Sequence, residues 1–168
     1  VENIQNYVYF GNDCLPKQES SILQVFSATL QQDFHFGPFN LDNQLVYQKS
    51  SKSSVIPLPD FSVYCNLYFL FRIAKVLQLG ADFRYYTKYY GEAYEPAILS
   101  FHTQNDVKIG GYPLMNAYIN MKLKQTRFYV MYSHANQGLF GGKNSFTLPH
   151  YPLPPSMLQI GISIDFAN

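Results

Sequence analysis

The sequence has no tryptophan and only two cysteines, and charged residues make up just 14% of its 168 positions. Soluble domains carry about 25% charged residues, so a conventional densely charged exterior is excluded. Lys+Arg 12 against Asp+Glu 11 leaves a net charge of +1, too weak a field to draw nucleic acid or an acidic partner. Cys14 and Cys65 are far apart with no CxxC between them. That excludes a disulfide framework, offers no metal-ligand spacing, and leaves two unpaired thiols and no cofactor as the expectation. No apolar run approaches the roughly 20 residues a spanning helix needs. The densest, Leu67-Tyr-Phe-Leu-Phe71, stops at Arg72. The chain opens at Val1 without an initiator Met, a basic n-region or an apolar h-region, which reads as a processed product or a piece of something longer.

What is present is aromatic and alternating. Tyrosine (15) and phenylalanine (14) bring the aromatic share to 17%, which a disordered chain lacks. Side chains two apart share one face of a strand, and that period dominates. Leu158, Ile160, Ile162, Ile164 and Phe166 oppose Gln159, Gly161, Ser163 and Asp165. Leu77, Leu79, Ala81, Phe83 and Tyr85 oppose Gln78, Gly80, Asp82, Arg84, Tyr86 and, further on, Lys88. Met115, Ala117, Ile119, Met121 and Leu123 oppose Asn116, Tyr118, Asn120, Lys122 and Lys124, and a strand from Phe61 follows the same rule. Noisier strands run over Ile22 to Phe34, Phe39 to Gln48 and Arg127 to Ser133, with an eighth from about Ile4 to Phe10. These spans suit a tilted strand crossing a bilayer, about 9–11 residues, better than the soluble average of roughly 5–6.

Charge and loop length sharpen the choice. Asp33, Asp42, Arg72, Asp82, Arg84, Lys88, Lys122, Lys124, Arg127 and Asp165 all fall on the polar face, as lipid outside and water inside would require. A soluble sandwich with one dry face would show the same. Short connections (35–38, 73–75, 124–126) alternate strictly with long ones (11–20, 49–60, 91–111, 137–156). Up-and-down membrane barrels have that asymmetry, with tight periplasmic turns and long outer loops.

No catalytic constellation stands out, and the chain is not expected to be an enzyme. His35, His102, His134 and His150 are scattered and read as surface histidines, and there is no nucleophile elbow, P-loop or dinucleotide fingerprint. The expected site is the lumen-facing set Asp82, Arg84, Lys88, Asn120, Lys122, Lys124, Arg127 and Asp165. Its cations form an electropositive wall favouring anions if the barrel is wide, or a salt-bridge network if it is narrow, and Asp33, Asp42, Asp82 and Asp165 work against the wall. Tyr85, Tyr89, Tyr90 and Phe166 are the expected interface aromatics, with a sugar-stacking platform as the alternative for the tyrosine cluster.

Several stretches are similar to the C-terminal part of the putative porin family of Bacteroidota outer membranes. They are Val25-Phe-Ser-Ala-Thr-Leu30, Val46-Tyr-Gln-Lys-Ser-Ser51, Ile56-Pro-Leu-Pro-Asp60, the strand from Leu79 to Tyr90, Tyr94-Glu-Pro96, Gly110-Gly-Tyr-Pro113, Arg127-Phe-Tyr129, His150-Tyr-Pro-Leu-Pro-Pro155 and Ile160-Gly-Ile-Ser-Ile-Asp-Phe166. The resemblance runs from about Ser20 to the end. It implies an outer-membrane β-barrel of a Gram-negative bacterium, of which 168 residues would be the C-terminal portion. The expectation is therefore a single all-β domain over 1–168, an antiparallel up-and-down transmembrane barrel or the last eight or so strands of a larger one. It would pass small polar solutes passively, in contact with the lipid bilayer and other outer-membrane subunits. The alternatives are a small closed barrel serving as anchor or subunit, and a soluble β-sandwich that binds a ligand or partner.

Overall fold

The structure is a computed structural model that describes residues 1–71, 76–139 and 145–166. One large antiparallel sheet dominates it. Its strands are β1 (Glu2–Ile4), β4 (Leu23–Phe36), β5 (Phe39–Ser50), β6 (Phe61–Phe71), β7 (Val76–Tyr86), β10 (Leu114–Leu123), β11 (Thr126–Ser133) and β14 (Met157–Ile164), hydrogen-bonded in that order. Each strand neighbours the next in sequence apart from three small hairpins set into long connections, so the winding is up-and-down. The hairpins are β2 (Tyr7–Phe10) with β3 (Pro16–Glu19), β8 (Ala93–Glu95) with β9 (Ser100–His102), and β12 (Phe146–Leu148) with β13 (Tyr151–Pro152). The all-β expectation therefore stands.

Turn chemistry fixes the two ends. At one end β4 runs into β5 through Gly37 and Pro38 alone, with Phe36 facing Phe39 across the turn and Gly37 at φ 58°. That left-handed angle suits glycine. Lys124 and Gln125 make the corresponding turn between β10 and β11, with Lys124 at φ 54°. The short connection expected at 73–75, together with Arg72, lies outside the described residues. All three small hairpins sit at the opposite, long-loop end.

One expectation needs correction. The strand placed over Ile4 to Phe10 is two strands: β1 joins the large sheet, and β2 leaves it to pair with β3. Asn6, at φ 54°, breaks the extended run between them. Closure separates the two barrel forms expected, a ring complete in itself or the last strands of a larger one. The sheet ends at β14 on one side, and on the other β1 covers only Leu23, Gln24 and Val25 of β4. It is an open wall rather than a closed ring.

Burial is inverted relative to a water-soluble sheet. The buried apolar residues Leu23, Val55, Ala93, Ile109 and Tyr112 cluster at the long-loop end. On the long strands the apolar face is bare, with Leu30 60%, Ile162 62% and Ile160 71% exposed. Phe83, between Cys65 and Met115 in the register, lies on this same face, not in a dry centre. Among the described residues no second large sheet packs on that face, so the sandwich alternative finds no partner layer.

Candidate functional site: a polar wall backed by an apolar one

Register brings the polar residues into rows. Asp33, Asp42, Asn66, Asp82 and Asn116 stand opposite one another across β4, β5, β6, β7 and β10. One residue pair along lies the row Gln44, Tyr64, Arg84 and Leu114. On the other side lie Asn40, Tyr68, Gly80, Tyr118 and Met131, then Gln78, Asn120, Tyr129 and Gly161. Because every neighbour in a row comes from a different strand, each row is a band of polar chemistry across the wall.

Hydrogen bonds weave these rows together. Asn66 Nδ2 donates to Asp42 Oδ2 at 3.4 Å, and Asn66 Oδ1 accepts from the Tyr118 hydroxyl at 2.8 Å. That hydroxyl accepts from Gln78 Nε2 at 3.2 Å, and Gln78 Oε1 accepts from Asn120 Nδ2 at 3.3 Å. Separately, Asn116 Nδ2 donates to Asp82 Oδ1 at 3.0 Å. Two glycines make room for rings. Gly80 faces Tyr118 and Gly161 faces Tyr129, and a Cβ on either glycine would land inside the opposing ring. Glycine in a strand interior is weak on its own, and an aromatic laid over it from the next strand restores packing.

The expected charged residues occupy distinct places. Asp82 is buried, and Arg84 lies 3.6 Å from it through Nε while its guanidinium rests over the Tyr64 ring at 5.4 Å. Lys122 stands directly opposite Arg127, and Arg127 lies 4.0 Å from Asp165 just past the end of β14. Lys88 is beyond β7, and Lys124 is in the β10–β11 turn rather than on a strand face. Asp33 faces Asp42 just as directly as Lys122 faces Arg127. Like charges set opposite one another repel, so this wall keeps an acidic pair on β4–β5 and a basic pair on β10–β11. A recess of about 570 Å³ lies over the basic pair, lined by Gln78, Asn120, Lys122, Arg127, Tyr129 and Ser163. A second, of about 380 Å³, lies beneath the loops against Tyr64, Arg84, Tyr86, Tyr112 and Phe146.

The opposite face is banded too. At the short-turn end it shows Phe36, Phe39, Phe69 and Phe71, with Phe39 and Phe69 edge-to-face at 5.2 Å. At the long-loop end it shows Phe26, Tyr47, Phe61, Tyr85 and Tyr132, with the Tyr47 and Phe61 rings 5.1 Å apart. Between the bands on β4, β5 and β6 lie Leu30, Leu45 and Leu67, and on the following strands this face is mainly aliphatic, with Leu79, Ile119, Val130 and Ile160. Gln32 and Asn43 interrupt them, and Asn43 Nδ2 donates to the Gln32 carbonyl at 3.3 Å. Lys49 falls on this face only at its loop-end rim, where it pairs with Asp60 at 2.9 Å. Tyr89 and Tyr90 lie past β7. Tyr89 packs edge-on against Tyr86 at 6.0 Å, and Tyr90 lies under Lys108 at 4.8 Å. Phe166 follows β14 and is 92% exposed.

The loops hold one buried polar knot that sequence reasoning missed. His134, expected at the surface, is 6% exposed. Its Nδ1 donates to the Pro154 carbonyl at 2.7 Å, and the Tyr112 hydroxyl lies 2.9 Å from its Nε2 and 3.2 Å from the Asn136 carbonyl. Asn136 accepts from the Met115 amide at 3.0 Å and donates to the Pro113 carbonyl at 2.5 Å. Burial raises the Tyr112 phenol above its ordinary pKa. The knot ties the connection after β11 to the one before β10, which accounts for the Tyr-Pro pair at 112–113.

Comparison with known proteins adds the family. No curated protein and no solved structure matches the chain. A family profile described as "Putative porin" matches residues 1–168, including the first nineteen, which the motif resemblance left out. With a whole-length match on an up-and-down sheet of long strands, the chain belongs to the putative porin family.

Proposed function

We propose that this chain forms part of the wall of an outer-membrane pore through which small polar solutes diffuse passively, with no covalent chemistry. The observation that carries the reading is the two-sidedness of the sheet. One face is apolar, bare and edged by aromatic bands, and the other is a mainly polar face crossed by hydrogen-bonded side chains and carrying both acidic and basic groups. Aromatic bands flanking an aliphatic zone suit lipid with a water boundary at each end. The polar face then lines the lumen.

Unpaired backbone groups in lipid cost several kcal/mol each, so the bare edges of β4 and β14 require further strands. These come from elsewhere in the same polypeptide or from another outer-membrane subunit. An eight-stranded ring closing by itself would be filled by side chains, whereas an open wall completed by others leaves room for water. The family membership supports an outer-membrane location.

On the polar face of the long described strands, Asp33, Asp42 and Asp82 balance Arg84, Lys122 and Arg127. Detergent-extracted protein from its native membrane is therefore expected to give discrete conductance steps in planar bilayers, with a reversal potential near zero in a potassium chloride gradient. The double substitution Lys122→Glu and Arg127→Glu should move that potential toward cation preference. Protein that purifies without detergent, or that gives no conductance, would overturn the reading.

A further inference from the structure

We propose that Cys14, Glu95 and His102, at the long-loop end, form a binding site for a divalent transition metal, with zinc the best match. The three side chains come from separate places: the β2–β3 connection, the end of β8 and the end of β9. Yet the thiol sulfur, a carboxylate oxygen and a ring nitrogen all lie within 4.8 Å of one another. Three points so confined are reached from one centre at no more than about 2.8 Å, against zinc bonds of about 2.0–2.3 Å. Side-chain adjustment of about 0.5–0.8 Å therefore assembles the site.

The histidine carries an independent sign of the role. Its Nδ1 lies 2.9 Å from the Thr103 carbonyl. A carbonyl only accepts, so Nδ1 holds the proton and Nε2 carries the lone pair. Metal-ligating histidines are oriented in this way, one ring nitrogen donating to a backbone carbonyl and the other binding.

The scaffold beneath is tied. The Thr103 amide donates to the Phe10 carbonyl at 2.9 Å and Asn12 Nδ2 to Asn105 Oδ1 at 3.0 Å, which joins the two hairpins. Cys14 sits at φ 58°, and its backbone amide donates a hydrogen bond to the Gly11 carbonyl at 2.9 Å. All three ligand residues are half-buried, shielded from bulk water but within reach of an ion. The donor set selects the metal. A thiolate favours zinc over magnesium or calcium, and imidazole and carboxylate complete a familiar zinc combination. Two anionic ligands neutralise the ion, and a fourth position remains for water or an incoming donor. No sequence spacing announces this, because the ligands are separated by 81 and 7 positions and the sheet alone brings their loops together.

The test uses the full protein in detergent with Cys65→Ser, which removes the thiol on the apolar face. Added cobalt(II) should bind one per chain and give thiolate-to-cobalt absorption that zinc displaces. His102→Ala or Glu95→Gln should weaken binding at least about tenfold, and Cys14→Ser should abolish the absorption with the strand circular dichroism unchanged. A second measurement needs no ligand deletion: zinc should slow maleimide alkylation of Cys14 at least tenfold, and EDTA should restore it. Absence of stoichiometric cobalt binding, absorption that survives Cys14→Ser, or alkylation indifferent to zinc would each overturn the site. None of these readouts depends on conductance, so the site and the pore fail separately.

Discussion

Ile162→Arg is expected to remove nearly all correctly inserted protein, while Ser163→Arg, one residue along, leaves the yield close to normal. Ile162 is 62% exposed on the bare apolar face and stands opposite Phe128. A cation facing acyl chains costs up to about 2–4 kcal/mol, and the full cost lowers the inserted fraction between about thirtyfold and a thousandfold. Ser163 stands opposite Arg127 on the other face, so a second arginine there meets water and a like charge, a cost of well under 1 kcal/mol by comparison. Phe83→Arg should behave as Ile162→Arg does, because Phe83 shares its face. The measurement is the amount of folded protein recovered from membranes, read by resistance to protease.

The second large effect separates two glycines that look alike in the sequence. Gly80→Ala drives the Tyr118 ring off its seat and breaks both hydrogen bonds at its hydroxyl, to Asn66 and from Gln78. At about 0.5–1.5 kcal/mol each, the loss is about 1–3 kcal/mol. Gly161→Ala displaces Tyr129 in the same way, but the described hydrogen bonds include none at the Tyr129 hydroxyl, so that ring swings aside. The cost there is about that of an off-rotamer side chain, 0.5–1.5 kcal/mol, partly offset by the lower freedom of alanine in the unfolded chain. Urea midpoints in lipid should therefore fall clearly for Gly80→Ala and little for Gly161→Ala. Equal shifts would mean that the Tyr118 network contributes nothing.

The long strands were legible because their information is periodic. Leu158 to Phe166 or Met115 to Leu123 names its own faces, and the rows on the polar face follow from register alone. The small hairpins were not legible, since Pro16–Glu19 and Ser100–His102 carry no alternating apolar signal. Asn6 looked extended, and its left-handed φ is set by context. The sequence named both a closed barrel and a segment of a larger one without choosing: alternation says which face is apolar and nothing about what pairs with the outer edge of β4. The aromatic bands were half visible. Tyr85 stood out beside its neighbouring tyrosines, whereas Phe26, Tyr47 and Phe61 join it only through cross-strand pairing. His134 and the Cys14–Glu95–His102 cluster depend wholly on loop packing, for which the chain offers no local pattern.

The central claim is that one side of this sheet meets acyl chains and the other encloses water. It is tested most directly by nitroxide labels placed singly from 115 to 122, with Cys14 and Cys65 replaced by serine. Strand β10 has neighbours on both sides, so its edges do not confuse the reading. Collision with oxygen, which concentrates in lipid, should peak at 115, 117, 119 and 121. Collision with a water-soluble nickel chelate should peak at 116, 118, 120 and 122. Flat profiles, or the two probes peaking together, would contradict the account.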